Sequence, residues 1–228
     1  MSVEIAAGAF LILAPVWFNG TFLLLARRFE YPDILRRPGS EILARFHAGG
    51  SSLITLWWLF MLSGLLFIPA GVFLGQALGF TGIVPLAVSI GILAGLVQML
   101  GLLRWVYLVP SLARTNADPA LDRGQRDANL AVFQAMHRYL GVGVGEHLGY
   151  LFTGIWSILI GVAIIRTELI PTWTGWVGIV IGAGVTLGSI EFLGPNEERG
   201  SKLAGAAIPV LYVAWSLWLL ALGISLIV

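Results

Sequence analysis

Residues 142–165 read VGVGEHLGYLFTGIWSILIGVAII, a mostly apolar run that also contains Glu146 and His147. A helix that crosses a bilayer needs roughly 20 mostly apolar residues, so this run is long enough to span one. Outward from it in both directions, the chain holds further runs of the same kind, at about 4–26, 52–75, 82–110, 174–194 and 203–227. Barrel strands would instead alternate apolar and polar residues over about 10 positions. The sequence therefore predicts an all-α, polytopic membrane protein built as a bundle of six transmembrane helices.

The composition agrees with this class and excludes several functions. Of the 228 residues, 58% are hydrophobic and 11% are charged, whereas a soluble domain carries about 25% charged residues. The six spans leave no room for a soluble domain, so we expect a single membrane domain over residues 1–228. Glu4 occupies a position that would be basic in a signal peptide, so we expect the first span to be retained. The absence of cysteine excludes disulfides and thiolate chemistry, and a net charge of +1 does not favour nucleic acid.

The basic residues predict an orientation, because short cytoplasmic loops are enriched in Lys and Arg. The even-numbered connections between spans contain one basic residue, Arg166. The odd-numbered connections contain eleven, namely Arg27, Arg28, Arg36, Arg37, Arg45, Arg114, Arg123, Arg126, Arg138, Arg199 and Lys202. We therefore expect the odd-numbered connections in the cytoplasm and both termini outside.

The connection between the third and fourth spans has a helical pattern of its own. Asp118 and Pro119 resemble a helix start, with Asp as the N-cap and Pro in the first turn. Apolar residues then recur at helical spacing at Leu130, Phe133 and Met136. The pattern predicts an amphipathic helix over about 118–140 on the cytoplasmic surface, either as a simple surface helix or as a lid over a pocket.

Ionisable residues inside the predicted spans form the main functional signal, because such groups are costly in lipid. Arg104, Glu146, His147 and Glu191 each lie near the cytoplasmic end of a span, with Arg104 about 9 Å from that end by helical rise. Asn19 in the first span can join the same layer. One arginine and two carboxylates leave a spare negative charge, which a proton, a protonated histidine, a metal or a cationic ligand could offset.

Three interpretations of this layer remain open. In the first, Arg104 forms ion pairs with one or both carboxylates and extends toward the cytoplasm. In the second, Arg104 binds an anionic headgroup or a quinone oxygen in a ligand pocket that also includes Glu146, His147, Glu191 and Asn19. In the third, nitrogen and oxygen ligands bind zinc or iron for hydrolysis or redox chemistry. The candidate metal ligands are His147, Glu146, Glu191, His47 and His137.

Glycine is abundant, at 29 residues, and many of the glycines lie four positions apart. Examples are Gly141, Gly145, Gly149, Gly178, Gly182, Gly184, Gly188, Gly91 and Gly95. Small residues at this spacing let helix backbones approach closely in lipid. We expect packing within the chain, with homo-oligomerisation or a larger membrane complex as the alternative.

The second half of the chain resembles a known bacterial family. The relevant segments are GVGVGEHLGYLFTGIWSILIGVAIIRTELIPTWTGWVGIVIGAGVTLGSIEFLG at 141–194 and IPVLYVAWSLWLLALGISLI at 208–227. They resemble the domain-of-unknown-function family 4386, whose members carry an Arg-x-x-Leu-(Ile/Leu)-Pro turn between two late helices. Here the turn runs from Arg166 to Pro171, and Thr172 follows where a basic residue is usual. The resemblance covers roughly residues 100–228. It implies a polytopic protein of the bacterial inner membrane, and it adds no catalytic residue.

Together these observations favour a membrane protein that is not itself a catalyst. We expect it to bind a small amphipathic or anionic ligand in a polar pocket that faces the cytoplasm, or to act as a subunit of a membrane assembly. The alternative is a metal-dependent membrane hydrolase or oxidoreductase.

Overall fold

A computed structural model describes residues 2–194 and 201–228. The described chain is helical, and no strand occurs in these two ranges. Its α-helices are α1 (Val3–Phe29), α2 (Gly39–Ala77), α3 (Val84–Asn116), α4 (Arg123–Met136), α5 (Gly149–Ile165), α6 (Thr172–Gly188) and α7 (Lys202–Ile227). A π-helical segment, His137–Leu148, joins α4 to α5, and short 3₁₀ helices cover Asp33–Arg36 and Ser189–Phe192.

Six helical segments are long and apolar enough to cross a membrane, which confirms the predicted six-helix membrane bundle. Consecutive segments run in opposite directions. One end of the bundle therefore carries the connections at 30–38 and 117–122, the segment 189–194 and the start of α7, and the other end carries the connections at 78–83 and 166–171. Helix α1 packs against α2 and α7, α3 packs against α2 and α5, and α6 packs against α5 and α7.

Helix α2 is longer than the predicted span because a membrane-surface helix leads into it. It begins at Gly39, and its regular geometry is broken at Gly50, where φ is 57° and ψ is −154°. Residues other than glycine rarely adopt this backbone conformation. Gly50 thus separates an N-terminal segment, which packs against α4 through Gly39 and Phe133, from the membrane-spanning part of α2.

Helix α4 begins later than the sequence suggested. Asp122, rather than Asp118, caps it: the Asp122 carboxylate accepts from the Gln125 backbone N–H, and the Gln125 side chain accepts from the Asp122 backbone N–H. These two bonds form a capping box, which leaves fewer helix-terminal donors unsatisfied. Asp118 instead accepts from the Ala120 backbone N–H at 2.9 Å and shapes the preceding turn.

The surface helix and the fourth span are also one continuous helix, whereas the sequence suggested two elements. The join is the π-helical segment His137–Leu148, and the whole stretch runs from Arg123 to Ile165. No proline interrupts residues 123–165, so nothing in the sequence forces a break between the two parts.

Glycines bring neighbouring helices into close contact within this chain. A Cβ atom on Gly154 would lie 2.6 Å from the Gly182 carbonyl oxygen, and one on Gly161 would lie 2.5 Å from the Gly175 carbonyl oxygen. Both pairs join α5 to α6. Small residues are needed where backbones approach this closely, and here the approach is intramolecular.

The apolar core has two large parts, besides a small cluster of Val84, Val88 and Ala163. One part, at the end that carries both chain termini, is built around Trp156, Trp218 and Leu222. The other, at the end that carries the charged connections, is built around Trp57, Trp105 and a group of phenylalanines. Between them lies a band of polar side chains, which we call the polar layer.

Candidate functional site

The polar layer contains Arg104, Glu146, His147, Glu191 and Asn19, all five of the predicted pocket residues. Three tyrosines join them, Tyr31, Tyr150 and Tyr212. The layer is built by α1, α3, the π-helical segment, α5, the 3₁₀ helix at Ser189–Phe192, α7 and the connection between α1 and α2.

Arg104 is the most deeply buried charged side chain of the layer, with 5% of its surface exposed. Helix α3 does not end near Pro110 but continues to Asn116, so Arg104 lies about 18 Å from the helix end, farther than the sequence suggested. The guanidinium does not extend toward the end of the bundle that carries the charged connections. Its Nη1 donates to the Gly101 carbonyl oxygen of its own helix, and its Cζ lies 5.3 Å from the centre of the Trp105 ring.

Gly141 makes room for this conformation of Arg104. A Cβ atom on Gly141 would lie 2.5 Å from Nη2 of Arg104, so any larger residue would displace the guanidinium. The Arg104 Nε is buried and has no hydrogen-bond partner in the described part of the chain. A buried donor without a partner is rare in proteins, and it marks this guanidinium as incompletely satisfied.

Glu146 lies in the π-helical segment and is half-buried. Its carboxylate interacts electrostatically with Arg104 and Glu191. Over residues 2–194 and 201–228, however, the ion pairs within 4 Å do not include Arg104 with either carboxylate. The expected direct ion pair is therefore not formed in the described part of the chain, and Arg104 and Glu146 interact at a longer distance.

His147 and Glu191 tie the end of α6 to the rest of the layer. The Nδ1 atom of His147 lies 2.9 Å from the Ser189 carbonyl oxygen, so this nitrogen carries the proton and donates. The Oε1 atom of Glu191 accepts from the Ser201 backbone N–H at 3.2 Å. Glu191 lies in the short 3₁₀ helix that follows α6, at the end of the apolar segment Thr172–Phe192.

Asn19 occupies the edge of the layer between α1 and α7. Its side-chain amide donates to the Pro15 carbonyl oxygen at 2.7 Å and to the Ser216 hydroxyl at 3.0 Å. The bond to Ser216 joins the first and last helices. The next turn of α7 toward the charged end carries Tyr212, whose ring lies 6.2 Å from that of Phe18.

The three tyrosines are the part of the layer that sequence analysis missed. The rings of Tyr150 and Tyr212 lie 5.1 Å apart, and the Tyr150 ring lies 5.2 Å from that of Phe192. Electrostatic interactions link Glu146 to Tyr31, Tyr150 and Tyr212. A buried tyrosine usually needs a hydrogen-bond partner for its hydroxyl, so tyrosines next to apolar runs were the signal that could have indicated these residues.

Tyr31 reaches the layer from the connection between α1 and α2. Its ring packs edge-on against Trp57 at 5.1 Å and against Phe22 at 5.6 Å. Desolvation, with the nearby charge of Glu146, raises the pKa of the Tyr31 phenol well above its usual range. The phenol of Tyr31 therefore stays protonated and neutral.

A group of ion pairs holds the connection that carries Tyr31. Glu30 pairs with Arg45 at 2.5 Å and with Arg37, and Arg37 also pairs with Glu41 at 2.5 Å. The hydrogen bond from Arg45, with the charge of Arg37, holds the pKa of Glu30 below its usual value despite partial desolvation.

The histidines do not gather around the carboxylates. His47 is exposed on the N-terminal part of α2, and the His137 ring lies 5.6 Å from Phe133 and 6.1 Å from Trp105. Within residues 2–194 and 201–228, no three His, Asp or Glu side chains come together as a metal-binding group. Of the five candidate metal ligands, Glu146, Glu191 and His147 therefore lie in the layer without forming a metal-binding group. His47 and His137 lie outside it.

A recess opens at the charged end of the bundle, beside α4. It has a volume of about 440 Å³ and is lined by Ser40, Asn116, Leu121, Arg123, Arg126, Asp127 and Leu130. Arg123 lies 3.9 Å from Asp127, and Arg126 donates to the Asp118 carbonyl oxygen. This recess does not include any of the predicted pocket residues.

Comparison with known proteins identifies a family. The family model described as Domain of unknown function (DUF4386) matches residues 6–223, most of the chain. This confirms the resemblance seen in the second half of the sequence and extends it to the first helices. No curated protein and no solved structure gives a match to the chain.

Proposed function

The chain belongs to the DUF4386 family, whose description assigns no activity, and we propose from its polar layer that it binds a small amphipathic or anionic ligand. The ligand's polar head lies beside Arg104 and Glu146, and its apolar part lies among the helices. The site opens toward the cytoplasm, and the protein resides in a bacterial inner membrane. Binding, rather than catalysis, is the role of the site.

One observation carries this proposal: the buried guanidinium of Arg104 lacks a full set of partners within the layer. In the ranges that the structure describes, its Nε has no hydrogen-bond partner, and the ion pairs within 4 Å do not include Arg104. Buried polar groups are normally paired with protein or water, and each exception calls for an explanation. A ligand head that carries an acceptor oxygen satisfies this donor.

Aromatic side chains beside the layer support an amphipathic ligand. The Phe18 ring lies 5.3 Å from Phe60, and Tyr31 lies 5.9 Å from Phe60. Pockets for small ligands are mostly apolar, with a few convergent polar groups that set the orientation of the ligand. A ligand that enters from the bilayer can place its apolar part against these rings.

The orientation of the site is supported by charge. The basic residues lie mainly in the connections at the end nearer to Arg104, and this is the pattern of a cytoplasmic face. At the opposite end, Trp173 and Trp176 are 60% and 59% exposed, as expected for aromatic residues at a membrane interface.

The test is to identify what copurifies with the protein. The wild type, Arg104→Gln and Glu146→Gln are purified in a mild detergent, extracted with organic solvent and compared by mass spectrometry. Arg123→Gln and Glu168→Gln are matched controls, because both residues are exposed and lie outside the layer. We expect one small molecule at near-stoichiometric amount in the wild type and both controls, and strongly reduced amounts in the two layer variants.

The proposal is contradicted if all five preparations carry the same molecules in the same amounts. Elemental analysis of the same samples tests the metal-dependent alternative directly. About one zinc or iron per chain, lost in Glu146→Gln, would make hydrolysis or redox chemistry the better interpretation.

A further inference from the structure

The charges of the polar layer define the chemical class of the ligand more closely than "amphipathic or anionic". This inference rests on the proposed function. The layer contains one positive group, Arg104, and two carboxylates, Glu146 and Glu191, while His147 donates to a carbonyl oxygen through Nδ1. The formal sum of Arg104, Glu146 and Glu191 is one negative charge. A purely anionic ligand would add to this excess in a medium where unbalanced charge is costly.

The two carboxylates come from facing elements, and each has an aromatic neighbour. Glu146 precedes Tyr150 by one helical turn, and Glu191 directly precedes Phe192. The Tyr150 and Phe192 rings lie edge-to-face at 5.2 Å, and Tyr150 also contacts Tyr212. Carboxylates combined with aromatic ring faces are the groups with which proteins bind organic ammonium ions.

Arg104 marks the other end of the same layer. Its side chain is buried, with 5% of its surface exposed. In the described part of the chain its Nε has no hydrogen-bond partner, and its positive charge interacts with Glu146. Guanidinium groups bind carboxylate and phosphate oxygens well because their donors match the spacing of these oxygens. One end of the layer, at Arg104, therefore suits a carboxylate or phosphate oxygen. The other end, at Glu146 and Glu191, suits an ammonium group.

We propose that the ligand is a zwitterion, with an acidic oxygen at Arg104 and an ammonium group between Glu146 and Glu191 against the rings of Tyr150 and Phe192. Such a molecule brings no net charge, yet it satisfies the guanidinium and both carboxylates. The shared chemistry is an ammonium group and an acidic oxygen on one small head. A phospholipid with an ethanolamine headgroup and a free amino-phosphate both have it.

The test compares two lysophospholipids with the same acyl chain, one with an ethanolamine phosphate head and one with a glycerol phosphate head. Each is titrated into the delipidated, detergent-purified protein, and binding is followed by tryptophan fluorescence. We expect the ethanolamine lipid to bind about tenfold more tightly, the effect of one charge-assisted contact. Glu146→Gln and, separately, Glu191→Gln should remove most of this preference, while Glu168→Gln should keep it.

Free O-phosphoethanolamine, added as a competitor, identifies the source of the head. If it displaces the lysolipid at similar concentration, the ligand is the soluble zwitterion, and if it does not, the ligand is the lipid. Either result supports the zwitterion. Equal binding of the two lysolipids, with loss of both in Arg104→Gln, overturns the zwitterion but keeps the proposed binding function. Binding that is insensitive to Arg104, Glu146 and Glu191 overturns both.

Discussion

Arg104 illustrates how the bundle accommodates a charged side chain at a position where burial of a charge costs free energy. A charged group at this depth usually extends to the interface or pairs with an opposite charge. Here the guanidinium turns back to the Gly101 carbonyl oxygen, because Gly141 has no side chain and Trp105 supplies a ring face. In the described part of the chain its Nε has no hydrogen-bond partner, so this buried donor can bind the ligand that we propose.

The interaction between Arg104 and Glu146 can be measured with a double-mutant cycle. Arg104→Met fills a similar volume without charge but leaves Glu146 without the nearby cation, so we expect it to lower the free energy of unfolding. Combined with Glu146→Gln, it should show a coupling of about 0.5–3 kcal/mol, because the two charges interact in a poorly solvated layer. The measurement is unfolding by SDS titration in mixed micelles. Strictly additive effects would show that the charges do not act on each other.

Glu30 should make stability depend on pH. Its folded pKa lies below the unfolded value of about 4.3, so its ion pairs stabilise the fold above that value and are lost as the pH falls through the lowered pKa. We expect thermal stability to fall between about pH 5 and pH 3, and to fall less in Glu30→Gln. Melting curves across this range provide the check, with Glu168→Gln as the control. High salt should weaken the effect, since the pairs are exposed. The same slope in the wild type and Glu30→Gln would count against this role.

At the scale of elements, the π-helical segment decides how the site is built. Helix α4 enters it from the surface, and α5 leaves it as a spanning helix. The wider helix lets the backbone at Gly145 approach α3 at Gly101, and it carries Glu146 and His147 into the layer. Segments of π-helix are frequent at functional sites, where they change the direction of side chains without breaking the helix.

The contact between Gly101 and Gly145 gives a test of this element. A Cβ atom on Gly101 would lie 2.5 Å from the Gly145 Cα atom, so Gly101→Ala must push the two backbones apart. We expect it to lower the free energy of unfolding by about 1–3 kcal/mol. Gly143→Ala is the matched control in the same segment. Its nearest neighbour would be the Arg138 carbonyl oxygen at 3.7 Å, an ordinary contact, so stability should stay equal or rise slightly. Equal losses in both variants would show that the close approach is unimportant. SDS titration is again the measurement.

For the whole molecule, the arrangement is two apolar cores separated by the polar layer. The layer lies nearer the end with the charged connections, and the ion pairs of Glu30, Arg37 and Arg45 fasten Tyr31 over it from that side. At the other end, the core around Trp156 and Trp218 closes the bundle, with the Trp218 indole donating to the Thr174 carbonyl oxygen at 2.8 Å.

Orientation in the membrane can be tested with single cysteines, because the chain has none of its own. Thr115→Cys lies near the end with most of the basic residues, and Thr167→Cys lies in a connection at the opposite end. In intact cells, an impermeant maleimide should label Thr167→Cys and should label Thr115→Cys only after lysis. The reverse pattern would invert the proposed orientation and would place the site on the outer side.

The sequence predicted the ionisable residues of the polar layer, but not the orientation of Arg104 or the presence of Tyr31. Arg104, Glu146, His147 and Glu191 stood out because ionisable residues are rare in apolar runs. The direction of Arg104 could not be predicted, because it depends on the space left by Gly141 on a different element. Tyr31 was missed because it lies in a connection that is polar in sequence, although its ring packs against Trp57 and Phe22.

The sequence by itself determined the class of protein, the number of spans, the family and the polarity of the two ends, since each follows from local composition. Hydrophobic length and the distribution of basic residues need no tertiary contact to act. Only the tertiary structure decided that α4 and α5 form one continuous helix and that Arg104 faces inward without an ion pair. It also decided that Tyr150 and Phe192 meet beside Glu146 and Glu191. These features depend on contacts between residues far apart in the chain, and no local pattern records them.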